Sequence, residues 1–402
     1  MPAKARTTVI GFLLLAFSAT ALAVGPQKST ERKTGEIEGL QQVDTQTRLQ
    51  VVIPVFDPGL KGTPKPYSTK DEKWGQVWPE VRRAESKLFA VALKQTIERT
   101  NLFSAVRVTP NDQATGDIYV LARILRSNTE DLHLEVQVMD ITLDEWIPQT
   151  IYKYRIDGND LTEGARLRGV DPYQPIWDKI TRRIVEELAT RKERELREIQ
   201  GVSDMVFAAS YADEVYGGYL RERRGRRQLQ GLPDDTDPQY ARIKNVRARE
   251  DLFVDDLQSS YESFASTVRK DYSDFQRQGY PVAFEARKQR QKSNLSKALA
   301  GVALVGGVAL DTEENDIPLT TIGVAAAGAL SYKAFRETRE FRALMASLGE
   351  IGDSLDLQLA PQNVEFEGRT TQLSGNAAQQ FDEIRQFLNQ VYAEEATPDR
   401  EL

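Results

Sequence analysis

The chain has 402 residues, with 53 basic and 60 acidic side chains, a net charge of −7, no cysteine and a single histidine. Those counts exclude disulfides, thiolate metal sites, iron–sulfur clusters, cysteine nucleophiles and any metal site that needs two imidazoles, and the acidic balance argues against nucleic-acid binding, whose affinity comes mostly from phosphate contacts. A hydrophobic share of 40% with 28% charged residues describes folded, well-solvated structure, and the length suggests two or three domains.

At the start, Lys4 and Arg6 precede an uncharged apolar run from Val9 to Phe17 and then Ala21-Leu22-Ala23. This order predicts a secretory signal peptide over residues 1–23, cleaved after the small side chains Ala21 and Ala23. An uncleaved anchor is the alternative, but the run is shorter than the ~20 residues a span needs. With no cysteine behind the run, lipidation of the bacterial lipoprotein type is impossible. The expected location is periplasmic or outer-membrane associated. Residues 24–47 are polar and without period, and are expected to be a linker.

Residues 48–200 show an α/β pattern. Leu49, Val51, Ile53 and Val55 alternate into a strand that stops at a Pro-rich loop, and Val81, Ala84, Leu88, Val91 and Ala92 recur at helical spacing. Strand-like runs follow at 103–108, 118–125, 132–139 and 151–156. In the third, Leu132, Leu134, Val136 and Val138 share one face, and His133, Glu135 and Gln137 the other. Trp177, Ile180, Ile184 and Leu188 form the stripe of a closing helix. Consecutive strands flanked by helices predict a mainly antiparallel sheet with helices on one face.

The residues that carry a likeness are the opening strand Leu-Gln-Val-Val-Ile-Pro-Val-Phe-Asp (49–57), the helix end Thr-Ile-Glu-Arg-Thr-Asn-Leu-Phe-Ser-Ala-Val (96–106), the strand Gly-Asp-Ile-Tyr-Val-Leu-Ala-Arg-Ile (116–124) and the strand Leu-His-Leu-Glu-Val-Gln-Val-Met-Asp (132–140). In these the segment from Leu49 to Leu188 resembles the envelope α/β domain shared by the curli-secretion lipoproteins, the lipoprotein activators of penicillin-binding proteins and the N-terminal domain of the TolB translocation protein. The resemblance covers about a third of the chain and implies an interaction domain of the cell envelope without catalytic residues.

Residues 201–295 read as a helical region. Val254, Leu257, Tyr261, Phe264, Val268 and Phe275 fall at alternating three and four steps and predict a heptad-like seam, with Leu257, Tyr261, Phe264 and Val268 as candidate interaction residues within the chain or between chains. Within 296–335, two Gly/Ala-rich apolar stretches, Ala298–Leu310 and Ile317–Tyr332, place Ala303, Gly307, Gly323 and Ala327 four apart in pairs and predict a close-packed helical hairpin. Contact of 298–332 with a membrane is the alternative. Residues 336–402 are expected to form a helix-strand-helix segment, with Asn376 and Gln379 as a capping-box variant and Phe381, Ile384, Leu388 and Val391 as the last helix's buried face. The whole is expected to be α+β.

Candidate sites are few. His133 beside Glu135 could form a catalytic pair, but no nucleophile turn accompanies it, and a solvated strand histidine is the plainer reading. Asp234, Asp235 and Asp237 could ligate calcium, yet a Pro-bounded turn explains them. Arg221, Arg223, Arg224, Arg226 and Arg227 could touch anionic headgroups, or form a solvated helix end. Trp74 and Trp78 could make a peptide- or glycan-contacting edge, or serve as core lids. No phosphate-cradling glycine motif occurs, so no cofactor, metal or catalytic residue is expected. The sequence therefore predicts an exported, non-enzymatic envelope protein that binds an envelope partner or itself, with no nucleic acid. A periplasmic hydrolase using a carboxylate pair in an interdomain cleft is the alternative.

Overall fold

A computed structural model describes residues 46–60, 78–305 other than 163, 165–168 and 170, then 339, 342, 343, 346 and 359–396. The fold is α+β, the class expected from sequence. A five-stranded sheet in the order β2-β1-β3-β4-β5 is built from β1 (Gln50–Pro54), β2 (Ala105–Thr109), β3 (Ile118–Ser127), β4 (Asp131–Asp140) and β5 (Glu145–Arg155). The long ladders, β3 with β4 and β4 with β5, are antiparallel, while β1 joins β2 and β3 in parallel, which makes the sheet mixed. β1 is an interior strand, and Val51, Val52 and Ile53 are buried on both its faces. β4 alternates as its sequence predicts: Leu132, Leu134, Val136 and Val138 are fully buried and the residues between them are half-buried.

Helix α1 (Pro79–Glu98) crosses from β1 to β2, opening with Pro79 in its first turn, where the missing N–H costs nothing. It is buried on nearly every side because it touches the sheet, α2 (Gln174–Thr190) and a long helix, α4 (Pro238–Val305). α2 carries the expected stripe of Trp177, Ile180, Ile184 and Leu188, to which the structure adds Ile176, and Trp177 meets Phe56 and Phe89. α3 (Glu193–Tyr216) follows and breaks at Ala212 (φ −147°, ψ 72°).

The arginine run is not a helix end. Arg224 (φ 55°) and Gly225 (φ 72°) form the two-residue turn of a hairpin between β6 (Leu220–Arg223) and β7 (Arg226–Leu229). Left-handed φ at both turn positions matches the twist of the flanking strands. Helical character was expected here because short exposed strands of charged residues carry no alternating apolar signal.

Asp237 caps α4, accepting from Gln239 N at 2.8 Å, with Pro238 behind it, and Asp234 accepts from Thr236 N at 2.8 Å, so the acidic cluster is the Pro-bounded turn. The helix then runs through Pro281 to Val305, well past the end of the periodic pattern near Gln278. Beyond it, β8 (Gln362–Phe366) pairs antiparallel with β9 (Arg369–Leu373), followed by α5 (Ala377–Ala396). α5 opens with reciprocal 2.9 Å bonds between Asn376 and Gln379, the capping box expected there. One continuous apolar core runs from Leu49 to Tyr392, across the expected boundaries at residues 200 and 295. Among the described residues no helix is long and apolar enough to cross a membrane.

Candidate functional site

α1 and α4 lie against each other with Trp78 on Phe275, the Tyr272 hydroxyl donating to Glu85 at 2.7 Å and Lys94 paired with Glu262 at 2.7 Å. The seam supplies the contact. Leu257, Tyr261, Phe264 and Val268 are all buried within the chain, with Lys87 over the Phe264 ring at 4.8 Å. Trp78 is a core lid of the kind the sequence allows; Trp74 lies outside the described residues.

Beside this contact lies a cavity of about 800 Å³. Its apolar wall comes from Leu88, Phe89 and Ala92 of α1 with Leu161 and Pro172, and its polar wall from Ser266, Arg269, Lys270 and Ser273 of α4. Asp160, Leu161, Gly169 and residues 171–173, between β5 and α2, complete its lining, the last of these held by a local turn. Asp171 accepts from Tyr173 N and from Trp177 Nε1, each at 2.8 Å, which fixes Pro172 and Tyr173 at the mouth of α2. Burial pushes the Asp171 carboxyl above the usual range, and those two donors oppose the shift.

The other acids at the cavity are also engaged. Glu98 pairs with Lys94 at 3.0 Å, and Asp178, just behind, accepts from Gln174 Nε2 at 2.6 Å and faces Arg99 at 3.8 Å. By contrast Arg269 and Lys270 are exposed, and the Arg269 charge also opposes the rise of the Asp171 carboxyl. An apolar wall facing two exposed cations suits an amphipathic ligand that carries a negative group.

Behind the cavity wall sits a closed polar cluster. Glu85 is fully buried, its carboxyl raised by burial, and accepts from Ser127 Oγ at 2.5 Å as well as from Tyr272, with the Arg82 guanidinium at 3.7 Å. Arg82 Nη1 in turn donates to Ile124 O at 3.0 Å. This cluster ties α1, β3 and α4 together; Tyr272 lines the cavity while Arg82, Glu85 and Ser127 lie buried behind it and fix its walls.

The remaining candidate residues do not converge. Half-buried His133 has its pKa lowered to about 4, chiefly by burial, so it is neutral at pH 7, while Glu135 is held by Arg123 at 3.0 Å. Among the described residues no group of three or more His, Asp or Glu is placed to hold a metal ion. Ala303 lies in the last described turn of α4; Gly307, Gly323 and Ala327, with Ala21 and Ala23, lie outside the described residues. Sequence reading missed the cavity because its walls come from segments about a hundred residues apart. The Asp171-Pro172-Tyr173 turn was the one local signal available. No protein-family model, no curated protein and no solved structure matches the chain.

Proposed function

We propose that this chain is an exported, non-enzymatic protein of the cell envelope that acts by binding a partner, and that the cavity lined by α1, α4, Leu161 and residues 171–174 receives a short peptide segment of that partner bearing an acidic side chain. The envelope assignment rests on the signal-peptide pattern and on the resemblance of residues 49–188. The observation that carries the binding reading is the cavity: an apolar wall opposite two exposed cations, Arg269 and Lys270, with Asp171 held by internal hydrogen bonds and Glu98 by an ion pair. At about 800 Å³ it falls in the size range of sites that bury a ligand.

The absence of cysteine makes the test clean. Ser273→Cys at the cavity and Thr150→Cys on the far strand β5 each give a unique attachment point for a thiol-linked photo-crosslinker. Irradiation in the cell envelope should give a discrete adduct from position 273 that is missing from position 150. Adding Arg269→Glu and Lys270→Glu should abolish it. No adduct from 273, or the same adduct from both positions, would overturn the reading.

A further inference from the structure

The hairpin of β6 and β7 concentrates five arginines in seven residues of an otherwise acidic chain. Two of them, and the strand base, anchor it. Arg226 forms an ion pair with Asp144; Arg227 donates from its backbone N to Thr142 O at 2.9 Å and from Nη1 to Ile141 O at 3.1 Å. At the base, Leu229 fits so closely against Gly201 of α3 that a Cβ there would lie 2.5 Å from Leu229 Cδ2. The hairpin is therefore fixed to the β4–β5 turn and to α3.

The other three arginines are left outward. Arg221, Arg223 and Arg224 are exposed, and none has a carboxylate partner among the described residues. Arg221 and Arg223 are two apart on one strand, so they share a face about 7 Å apart, and Arg224 occupies the tip. Nothing stands within 4 Å of the Cβ position at Gly225, so the tip projects clear of the body. The tip also carries a sequence conflict. Arg224 sits at φ 55°, where Asn or Gly is the relaxed choice, and a cation occupies the position instead.

We infer that this hairpin docks on the anionic headgroup surface of a phospholipid bilayer. Guanidinium groups bind phosphate through paired N–H donors, and three of them on a fixed scaffold lose little freedom on binding. A nucleic acid fits less well: Leu220 to Leu229 contains no aromatic side chain on which a base could stack. The inference is independent of the cavity reading, since the hairpin contributes no residue to that site.

The test is flotation of the purified protein with vesicles of phosphatidylcholine alone or with about one third phosphatidylglycerol, at low and high salt. Binding is expected only to the anionic vesicles and should be released by salt. Each arginine at such a surface contributes roughly a fivefold increase in partitioning, so Arg221→Gln, Arg223→Gln and Arg224→Gln together should lower it about a hundredfold. The equal charge change Arg48→Gln, Lys179→Gln and Arg369→Gln should leave most of it. Arg224→Gly separates binding from folding, because it relaxes the turn while removing one charge: partitioning should fall about fivefold with the melting temperature unchanged or higher. Failure of the wild-type protein to float, equal losses in the two triple variants, or binding to duplex DNA without binding to vesicles would each overturn the proposal.

Discussion

Gln258 on α4 completes the edge of the sheet at Val108: its side-chain oxygen accepts from Val108 N at 2.8 Å and its amide nitrogen donates to Val108 O at 2.9 Å. The primary amide acts as one residue of a missing sixth strand. Flanking it, Arg107 grips Asp255 through Nε at 2.7 Å and Nη2 at 2.9 Å, and Asp251 through Nη1 at 2.9 Å. An open edge is a template for pairing with other chains, and here a helix covers it. Gln258→Leu keeps the bulk and leaves both Val108 groups unpaired, at roughly 1–3 kcal/mol for each. The urea midpoint should fall with its slope unchanged. An unchanged midpoint would show that water serves the edge equally well.

Glu250, on the same helix, makes stability depend on pH. Burial pushes its carboxyl up to about 7, opposed mainly by Arg385 of α5 and also by the Tyr211 hydroxyl of α3 and Arg247, while Asp251 adds to the rise. The folded protein therefore keeps this proton to a higher pH than the unfolded chain, whose value is 4.5. Its contribution is fully present below about 4.5 and is lost as pH rises through about 7, on the order of 3 kcal/mol. Glu250→Gln retains the neutral shape, so the difference in stability between variant and wild type should grow from pH 5 to pH 8. A constant difference across that range would contradict the assignment.

Gly279 sits where α4 passes the turn between β3 and β4, and a Cβ there would lie 2.7 Å from Thr129 Cγ2. Thr129 is buried and itself held at φ 68°. Gly279→Ala should cost about 1–3 kcal/mol through overpacking. Thr129→Gly removes the obstructing methyl and suits the left-handed backbone, so the double variant should recover part of that loss. Strictly additive midpoints would mean that the two residues do not meet.

Val136, fully buried at the middle of β4, pairs with Ala122 on one side and Thr150 on the other. Val136→Asp places an unpaired charge there, costing several kcal/mol against a typical margin of about 5–15. The variant should lack a cooperative melt by circular dichroism. A cooperatively melting Val136→Asp protein would reverse the assignment of faces on that strand.

Elements whose own side chains face a common core were legible in the sequence. The alternation of β4, the stripe of α2 and the Asn376–Gln379 cap each express a local rule that tertiary contacts reinforce. Two features were hidden for physical reasons. The hairpin at 220–229 pairs two short strands of mostly charged residues, which leave no apolar period behind, and only the Arg224-Gly225 step hinted at it. The length of α4 was masked by Pro281, which removes one helical N–H. The helix continues past it, clamped on either side by the close fit of Gly279 and by Arg287, whose Nε meets buried Glu130 at 2.7 Å. The cavity depends on α1 and α4 together, so no single stretch of sequence could announce it.

The edge contact at Val108 also sets an order of events. Its partner arrives 150 residues later in the chain, and Lys94, Arg107 and Glu130 wait over similar separations for Glu262, Asp255 and Arg287. Closing loops of that size slows folding. During synthesis, β2 stands uncovered until α4 has been made, so a growing or truncated chain offers a sticky strand to its neighbours while the finished chain does not. Yield on refolding should thus be governed by protein concentration, and a polypeptide that stops before Gln258 should aggregate even though every strand of its sheet is present.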